Sequence, residues 1–194
     1  MPSVYRDNEL RQYYPGVEIG NGCVVRNPAF LRIAPGVTVN HDTVIASFPE
    51  SGMIKYAPHI EIEEGAFIGP YNDFSCYHGI KIGKHVMTAA YVLITDVDHG
   101  YENVEIPIIR QPMTSQGEIA LGDGCWIGYR ACILSGVTIG RNSVIGANSV
   151  VNRDVPDFSV AAGNPVRIIK QYNHKKKKWE KVSRWKKLRK TFGL

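Results

Sequence analysis

The sequence lacks any apolar run that approaches the roughly 20 residues needed to cross a bilayer. Its opening segment, MPSVYRDNEL, also lacks the hydrophobic stretch of a secretory signal. The four cysteines form no C-x-x-C pair, so neither a redox motif nor a zinc motif of that spacing is present. We therefore expect an unprocessed cytoplasmic protein with free thiols.

Acidic residues are scarce in one segment only. Residues 171–194 contain ten Lys and Arg against a single acid, Glu180, so this tail carries +9 while the first 170 residues carry −4. The chain as a whole is 44% hydrophobic and 21% charged over 194 residues, which is ordinary for one soluble domain with a sizeable core. The net charge of +5 therefore reflects the tail and not the body.

What the sequence has in abundance is a period of six. An α-helix with about 3.6 residues per turn cannot keep that period, whereas six is three times the alternation of a β-strand. Glycines beside the repeat supply turn conformations that a side chain would disfavour. The pattern predicts an all-β solenoid. The aliphatic positions are Leu121, Ile127, Ile133, Ile139, Ile145 and Val151, and the small residues expected at tight interior corners are Cys125, Ala131, Val137, Ser143 and Ser149.

The same period appears earlier, from Ile19 and again from Ile62 and Ile82. Three hexads make one coil, so the domain at residues 1–170, with its two interruptions left out, predicts about six coils stacked at roughly 4.8 Å as a three-sided prism. Two segments interrupt the period, at about 46–59 and 95–118. Long loops in compact domains are uncommon unless they have a function. Because the prism interior is filled, we expect the active site outside it, in these excursions and at a neighbouring subunit.

The run LGDGCWIGYRACILSGVTIGRNSVIGANSVVNRDVPDFSVAAGNPVRIIKQY resembles the closing part of the hexapeptide-repeat acyltransferases. The loop DHGYENVEIPIIRQPMTSQGEI resembles the extended catalytic loop of the sugar O-acetyltransferases in that family, which modify galactosides, maltose, nodulation factors and polysaccharides. The resemblance covers roughly residues 17–172. It implies a left-handed parallel β-helix, acetyl-CoA as the acyl donor, and a homotrimer with active sites between subunits.

By this resemblance, His99 holds the position of the catalytic histidine. A sugar hydroxyl needs a base to remove its proton as it attacks a thioester, and imidazole titrates close to neutral pH. Asp96 or Asp98 could orient the ring or contact the sugar, or could be solvated loop carboxylates. We expect no metal, because the spacing of the other histidines does not match a γ-class carbonic anhydrase; they are His41, His59, His78, His85 and His174.

The acceptor residues are less well defined by sequence. Asn72 or Asp73 lies near a position where sugar-modifying relatives have a substrate-contacting amide, although both could simply shape a turn beside Pro70. Tyr101 could stack on a pyranose ring, and the same holds for Tyr71 and Tyr77; each could equally be an ordinary surface aromatic.

The donor site is implied by the late repeats. In the family, the pantetheine arm lies along a groove between adjacent prisms, and the matching positions here are Gly128, Tyr129, Ala147 and Asn148. The phosphates of CoA need cations, and we expect Arg153, Arg167 and Lys170 to cluster at the end of the coil stack for this purpose. Trp126 is expected to face outward and to pack at an interface.

The tail, residues 171–194, is interpreted separately. Apolar residues recur at helical spacing among the lysines, which predicts a basic amphipathic helix; they are Trp179, Val182, Trp185, Leu188 and Phe192. Such a helix suits peripheral association with the inner membrane surface, or else packing of its apolar side on the prism. No nucleic-acid motif accompanies the charge, so nucleic acid is a weaker alternative.

Together these observations favour an acetyl-CoA-dependent O-acetyltransferase that modifies a sugar hydroxyl in bacterial surface-polysaccharide or lipid-linked glycan synthesis, with His99 as general base. Two alternatives remain at this level. One is N-acetylation of a nucleotide-linked amino sugar, and the other is a non-catalytic β-helix scaffold that presents the basic tail. The sequence does not specify the sugar, the hydroxyl or the length of the acyl group.

Overall fold

The computed structural model describes residues 3–52 and 54–182, and short strands wind through three sheets that form the faces of a prism. Face A contains β1 (Val4–Arg6), β3 (Val24–Arg26), β6 (Val44–Ser47), β11 (Asp73–Cys76), β14 (Leu93–Thr95), β19 (Cys132–Ile133) and β22 (Val150–Val151). Face B contains β2 (Glu18–Ile19), β5 (Thr38–Val39), β10 (Phe67–Ile68), β13 (Met87–Thr88), β18 (Trp126–Ile127), β21 (Val144–Ile145), β23 (Ser159–Ala162), β24 (Arg167–Asn173) and β25 (Lys178–Lys181). Face C contains β4 (Leu31–Ile33), β9 (His59–Ile62), β12 (Gly79–Ile82), β17 (Ile119–Leu121) and β20 (Thr138–Ile139).

One helix, two 3₁₀ turns and two ribbons lie outside these faces or at their start. The helix α1 spans Asp7–Tyr13, and 3₁₀ turns span Pro28–Phe30 and Ile108–Arg110. Two separate antiparallel ribbons are β7 (Glu50–Ser51) with β8 (Ile54–Lys55), and β15 (Asp98–His99) with β16 (Met113–Thr114). No helix in the described ranges is long and apolar enough to cross a membrane.

The six-residue ladder forms the core of the prism. All six aliphatic residues from Leu121 to Val151 are at most 2% exposed, and so are the small residues four positions after them. Neighbouring coils pair in parallel and in register, so that Phe74 lies between Ile45 and Ile94. The six parallel strands of face A agree with the six coils expected from the period. The solenoid prediction is confirmed.

The N-terminal end of the prism is covered by β1 and α1. The strand β1 pairs antiparallel with β3, and α1 places Leu10 in the core, where it is 1% exposed. Tyr14 follows the helix and its hydroxyl donates to the Pro28 carbonyl at 3.2 Å. Burial raises the pKa of this phenol well above its usual range. Covering the first coil in this way shields an edge that a repeat protein would otherwise expose.

The C-terminal segment departs from the sequence prediction. Instead of a helix that begins at 171, the chain forms an antiparallel hairpin in which β24 pairs with β23 and β25 pairs with β24. The reason is that Val160 of the last coil offers an edge, and Lys170 pairs with it in register. The predicted helix is therefore wrong up to Val182, and Trp185, Leu188 and Phe192 lie outside the described residues.

The three edges of the prism are named here by the faces they join. The A/C vertex is the edge where the chain passes from face A to face C, and the B/A vertex is the edge where it passes from face B to face A. Both interruptions of the period leave from the A/C vertex: residues 48–58 follow β6 and precede β9, and residues 96–118 follow β14 and precede β17. In the coil between them, Tyr77 and His78 form the same vertex. The two excursions are therefore spatial neighbours.

Candidate active site

The long loop is anchored at its first residue. Asp96 is 0% exposed, and its carboxylate accepts hydrogen bonds from the backbone N–H groups of Tyr77 at 2.7 Å, His78 at 2.8 Å and Gly79 at 2.7 Å. The Cys76 thiol also points at this carboxylate, at 3.6 Å, and burial followed by the charge of Asp96 raises the pKa of that thiol. Asp96 therefore fastens the loop to the coil beside it and has no surface to offer a sugar.

The ribbon β15–β16 carries His99. His99 pairs in register with Met113, and Asp98 pairs with Thr114. His99 and Asp98 are both exposed. Within the described residues the imidazole makes no hydrogen bond, so neither Asp96 nor Asp98 orients the ring in a single protomer. The imidazole of His99 is presented to solvent, three residues beyond the anchor at Asp96.

The first excursion supports this ribbon. The hydroxyl of Tyr56 donates to the carbonyl of Met113 at 3.4 Å, and Met113 is the cross-strand partner of His99. The Tyr56 ring packs edge-on against Tyr77 at 4.8 Å, and Tyr77 stacks on Phe48 at 5.0 Å. These contacts hold His99 at the A/C vertex.

The far end of the loop is fixed by ionic contacts. Glu118 lies 2.7 Å from His59 Nε2 and 3.0 Å from Lys81 Nζ. Although partial burial acts to raise it, the hydrogen bonds from Lys81 and His59 lower the pKa of Glu118 overall. The pair spans β12 directly above Gly79, where a Cβ atom would lie 2.6 Å from the His59 ring and 2.8 Å from the Glu118 carboxylate. A side chain at this position would therefore push the His59 ring and the Glu118 carboxylate apart.

The proposed acceptor residues occupy different environments. Asn72 is 1% exposed, and its Nδ2 donates to the carbonyls of Gly69, Pro70 and Ala89 at 2.8, 3.1 and 2.8 Å. Its amide thus shapes the turn beside Pro70, which was the alternative interpretation. Asp73 is exposed and accepts a hydrogen bond from Ser75, while Tyr101 is 69% exposed in the loop beyond His99.

Four of the proposed donor residues do come together, at the B/A vertex. Gly128 lies against Ala147, since a Cβ on Gly128 would approach the Ala147 nitrogen to 2.7 Å, and the Asn148 N–H donates to the Tyr129 carbonyl at 2.8 Å. The guanidinium of Arg130 lies 5.3 Å from the centre of the Tyr129 ring. Arg130 is a cation at this vertex that the sequence interpretation missed.

The three cations expected to bind phosphate do not cluster. Arg167 pairs with Ala162 near the B/A vertex, whereas Lys170 pairs with Val160 farther along face B. Arg153 follows β22 of face A and precedes Val155, which bridges to face C, so Arg153 lies at the A/C vertex. The expected grouping of these three residues is wrong, because consecutive turns of the solenoid belong to different edges.

His99 and the donor residues are thus on different edges of one protomer. A face is one six-residue repeat wide, or at most about 20 Å at roughly 3.3 Å per residue. Acyl transfer requires reacting atoms about 3–3.5 Å apart.

Within the described residues, no group of three or more His, Cys, Asp and Glu side chains could hold a metal ion. That the protein needs no metal stays a prediction.

The positioning residues Tyr56, His59, Gly79 and Glu118 were not singled out from the sequence. A signal for them exists. Ile45 and Ile94 precede the two interruptions, and both belong to the register that contains Phe74. Counting hexads would therefore have placed both excursions at one edge and drawn attention to the residues at their ends.

Comparisons with known proteins agree with this architecture. A family model described as bacterial transferase hexapeptide (six repeats) matches residues 119–153. The chain is 30% identical over 167 residues to a putative lipopolysaccharide biosynthesis O-acetyl transferase of Escherichia coli K12, which covers 82% of this chain and 81% of the relative. It is 37% identical over 103 residues to the galactoside O-acetyltransferase of the same organism, which covers 50% of this chain and 47% of that relative.

A solved structure extends the likeness to the whole fold. An N-acyltransferase from Bacillus cereus, in complex with dTDP and 3-hydroxybutyryl-CoA, superposes with a TM-score of 0.66 over 100% of both chains at 19% identity. At that identity the likeness concerns the fold alone. The similarity to the E. coli relative over about four fifths of both chains is stronger evidence, and with the matched repeats it shows that the chain belongs to the hexapeptide-repeat acyltransferase family, among its acetyltransferases.

Proposed function

We propose that this protein transfers an acetyl group from acetyl-CoA to a sugar hydroxyl in the synthesis of a bacterial surface polysaccharide or lipid-linked glycan. The observation that carries the proposal is His99, exposed on a ribbon that is anchored at Asp96, Tyr56 and Glu118. The similarity to a putative lipopolysaccharide O-acetyl transferase over 82% of the chain supports the substrate class.

In this proposal His99 is the general base. Its imidazole accepts the proton of the sugar hydroxyl while the oxygen attacks the thioester carbonyl, and CoA leaves as the thiol. Direct transfer between two bound substrates requires no covalent acyl-enzyme. Backbone N–H groups beside the donor groove would stabilise the negative charge that develops on the carbonyl oxygen. The ribbon's anchors keep the base in place without a carboxylate partner.

The active site would be shared between copies of the chain, as a homotrimer provides. The proposed base and the proposed donor residues lie at different vertices of one protomer, so the base of one copy would face the donor residues of the next. His99 is at the A/C vertex, and the donor residues at the B/A vertex are Gly128, Tyr129, Ala147 and Asn148. The outer surface of face B supports such packing: Phe67, Met87 and Trp126 pair in register and are 41%, 43% and 48% exposed. Large exposed apolar patches of this kind mark interfaces.

The opposite character of face C supports the same arrangement. Its outward residues Arg32, Glu61 and Lys81 pair in register and are charged, which suits a face that remains in water. The loop tip beyond His99 carries two of the most exposed apolar residues, Val104 at 89% and Ile109 at 80%, so these side chains too would be covered in the assembly.

The first test is the variant His99→Ala with acetyl-CoA and a panel of sugar acceptors. We expect kcat to fall by about 10² to 10⁴ while acetyl-CoA binding, measured by calorimetry, is unchanged. His85→Asn is the matched control, because His85 is exposed at another edge and has φ 54°, a conformation that asparagine tolerates. Turnover of His99→Ala at the wild-type rate would refute the role of the base.

The second test addresses the shared site. Ala147→Trp should block the donor groove, because Ala147 is exposed at the B/A vertex. Co-expressed His99→Ala and Ala147→Trp chains should regain activity, since mixed oligomers contain some intact sites. Loss of activity in both variants with no recovery in verified mixed oligomers would place the whole site in one protomer. If only amino sugars accept the acetyl group, the N-acetyltransferase alternative is favoured. If the protein does not bind CoA, the non-catalytic scaffold is the alternative that remains.

A further inference from the structure

The C-terminal hairpin extends the prism beyond its last coil. Strand β25 is the last described strand of face B, and four consecutive lysines, Lys175–Lys178, occupy the turn before it and its first residue. All four are exposed, and only Lys176 forms an ion pair within the described residues, with Glu180 at 3.0 Å. The turn therefore presents several unneutralised cations at one end of the molecule.

Aromatic and apolar side chains accompany these lysines. Tyr172 pairs with Trp179 and Lys170 pairs with Lys181, so the four side chains share one face of the hairpin. Trp179 is 42% exposed. On the other face, the Val182 N–H donates to the Ile169 carbonyl, and these two residues are 40% and 44% exposed. Lysine directly opposite lysine is unfavourable unless an anion lies nearby.

The charge of the chain is strongly polarised along its length. Residues 1–166 contain 11 basic and 17 acidic residues, whereas residues 167–182 contain seven basic residues and one acid. Residues 183–194 add five more basic residues and no acid. An anionic surface would therefore repel the body of the prism and attract its C-terminal end.

We propose that the hairpin β24–β25 docks the protein on an anionic lipid surface. Exposed lysines at the turn, with tryptophan and tyrosine beside them, match the charge and polarity gradient of a membrane interface. A nucleic acid is the weaker occupant, because no nucleic-acid-binding motif accompanies the basic residues. This docking does not depend on the proposed acetyl transfer.

Docking by this end would set the height of the candidate active site. His99 follows β14, which belongs to the same coil as β13, and β25 is five strands beyond β13 in face B. At about 4.8 Å per strand, the catalytic coil would stand roughly 24 Å above the hairpin edge. An acceptor glycan carried on a lipid would need to extend by this distance from the bilayer.

The test is co-sedimentation of the full chain with vesicles of phosphatidylcholine and phosphatidylglycerol. A ratio of about 3:1 gives these vesicles a negative surface charge like that of an anionic leaflet. We expect binding to these vesicles and little binding to pure phosphatidylcholine. Replacing Lys175, Lys177 and Lys178 by glutamine should weaken partitioning about 10²-fold, since each lysine near an anionic surface contributes about a fivefold effect. The matched control is Arg26→Gln, Arg32→Gln and Lys84→Gln, three exposed cations on the prism, which should bind like wild type.

Residues 183–194 are also basic, so the hairpin is tested in a chain that ends at Val182. In this background the triple glutamine variant should still bind about 10²-fold more weakly than its parent. Equal binding of the two would overturn the proposal, as would equal partitioning of wild type to charged and neutral vesicles. Preferential binding to a single-stranded oligonucleotide, with no retention on vesicles, would assign the surface to nucleic acid instead.

Discussion

Replacing Asp96 tests how the loop that bears His99 is held. Asp96→Ala removes the acceptor of three backbone N–H groups, and two of the three donors, Tyr77 and Gly79, belong to buried residues. Asp96→Asn is the subtler change, because its amide oxygen can still accept from two donors while its NH₂ group faces the third. Asp98→Asn is the control, since Asp98 is exposed two residues away.

The magnitude follows from the number of donors that lose a partner. A hydrogen bond to a charged group contributes about 1.5–3 kcal/mol, and unsatisfied buried donors cost about 1–3 kcal/mol each. Allowing for relaxation, we expect Asp96→Ala to lower the free energy of unfolding by about 3–6 kcal/mol, and Asp96→Asn by about half of this. For a chain of this size, 1 kcal/mol corresponds to about 2–4 °C in Tm, so Asp96→Ala should lose roughly 6–20 °C. Asp98→Asn should change the stability by less than about 1 kcal/mol.

Calorimetry gives Tm, and limited trypsin digestion reports on the loop itself. Arg110 is the single trypsin site in residues 96–118, so cleavage after Arg110 measures how often the loop is released. We expect faster cleavage and a kcat lowered by about 10- to 100-fold in Asp96→Asn, with acetyl-CoA affinity unchanged, because small displacements of a base are costly. If Asp96→Ala melts within 2 °C (about 1 kcal/mol) of Asp98→Asn, the anchor has been misinterpreted.

Two remaining predictions concern the ion pair at the end of the loop. The pKa of Glu118 is lowered in the folded chain, so its contribution to stability is present above its ordinary pKa and is lost as pH falls through the folded value. Glu118→Gln should lower Tm at pH 7 by roughly 1–3 °C and by progressively less as the pH falls below the ordinary pKa of a glutamate. A loss of Tm that does not shrink on acidification would contradict an ionic role. Gly79→Ala should remove the same contact by inserting a methyl group between His59 and Glu118. When it is combined with Glu118→Gln, Tm should fall little further than in the single variants. A double variant whose loss of Tm equals the sum of the two single losses would show that the two residues act independently.

The prism could be predicted in detail because its signal is local and repeated. Each coil must place an aliphatic residue at the same interior position, so Ile127 or Ile145 is defined by sequence spacing alone, and both are 0% exposed. The same logic supplied the small residues at the corners, such as Ser143 and Ser149, whose hydroxyls donate to the carbonyls of Pro156 and Gly146. In these coils, periodicity and burial carry the same information.

The C-terminal hairpin shows where periodicity misleads. Trp179 and Val182 have helical spacing, but the segment forms strands because the edge of β23 is available for pairing. β23 leaves its outer hydrogen-bonding groups open, and β24 satisfies them from Arg167 onward. Helix formation must overcome a costly nucleus, whereas pairing with an existing sheet edge does not. A sequence window cannot contain that edge, because it arises from the coils before it.

The candidate site was only partly predictable for a related reason. His99 was recognised by the motif around it, but a motif does not reveal that Asp96 faces inward and Asp98 outward. Alternation along the strand would have suggested this, because Ile94 is buried and Asp96 is two residues later on the same side. Asp96 thus occupies an interior position, where a carboxylate is tolerated only because three N–H groups meet it.

The position of the two excursions explains how a solid prism can have an active site. An insertion within a face would break the parallel ladder, whereas an insertion at a vertex leaves the hydrogen bonds of every face intact. Two insertions at the same vertex, with one coil between them, lie close enough to support each other, and here the Tyr56 hydroxyl of the first donates to the Met113 carbonyl of the second. The cost is that His99, the proposed base, lies one face away from the proposed donor residues at the B/A vertex. In the proposed mechanism a single prism would hold two halves of different sites, and packing the apolar outer surface of face B against another copy is the arrangement that would bring matching halves together.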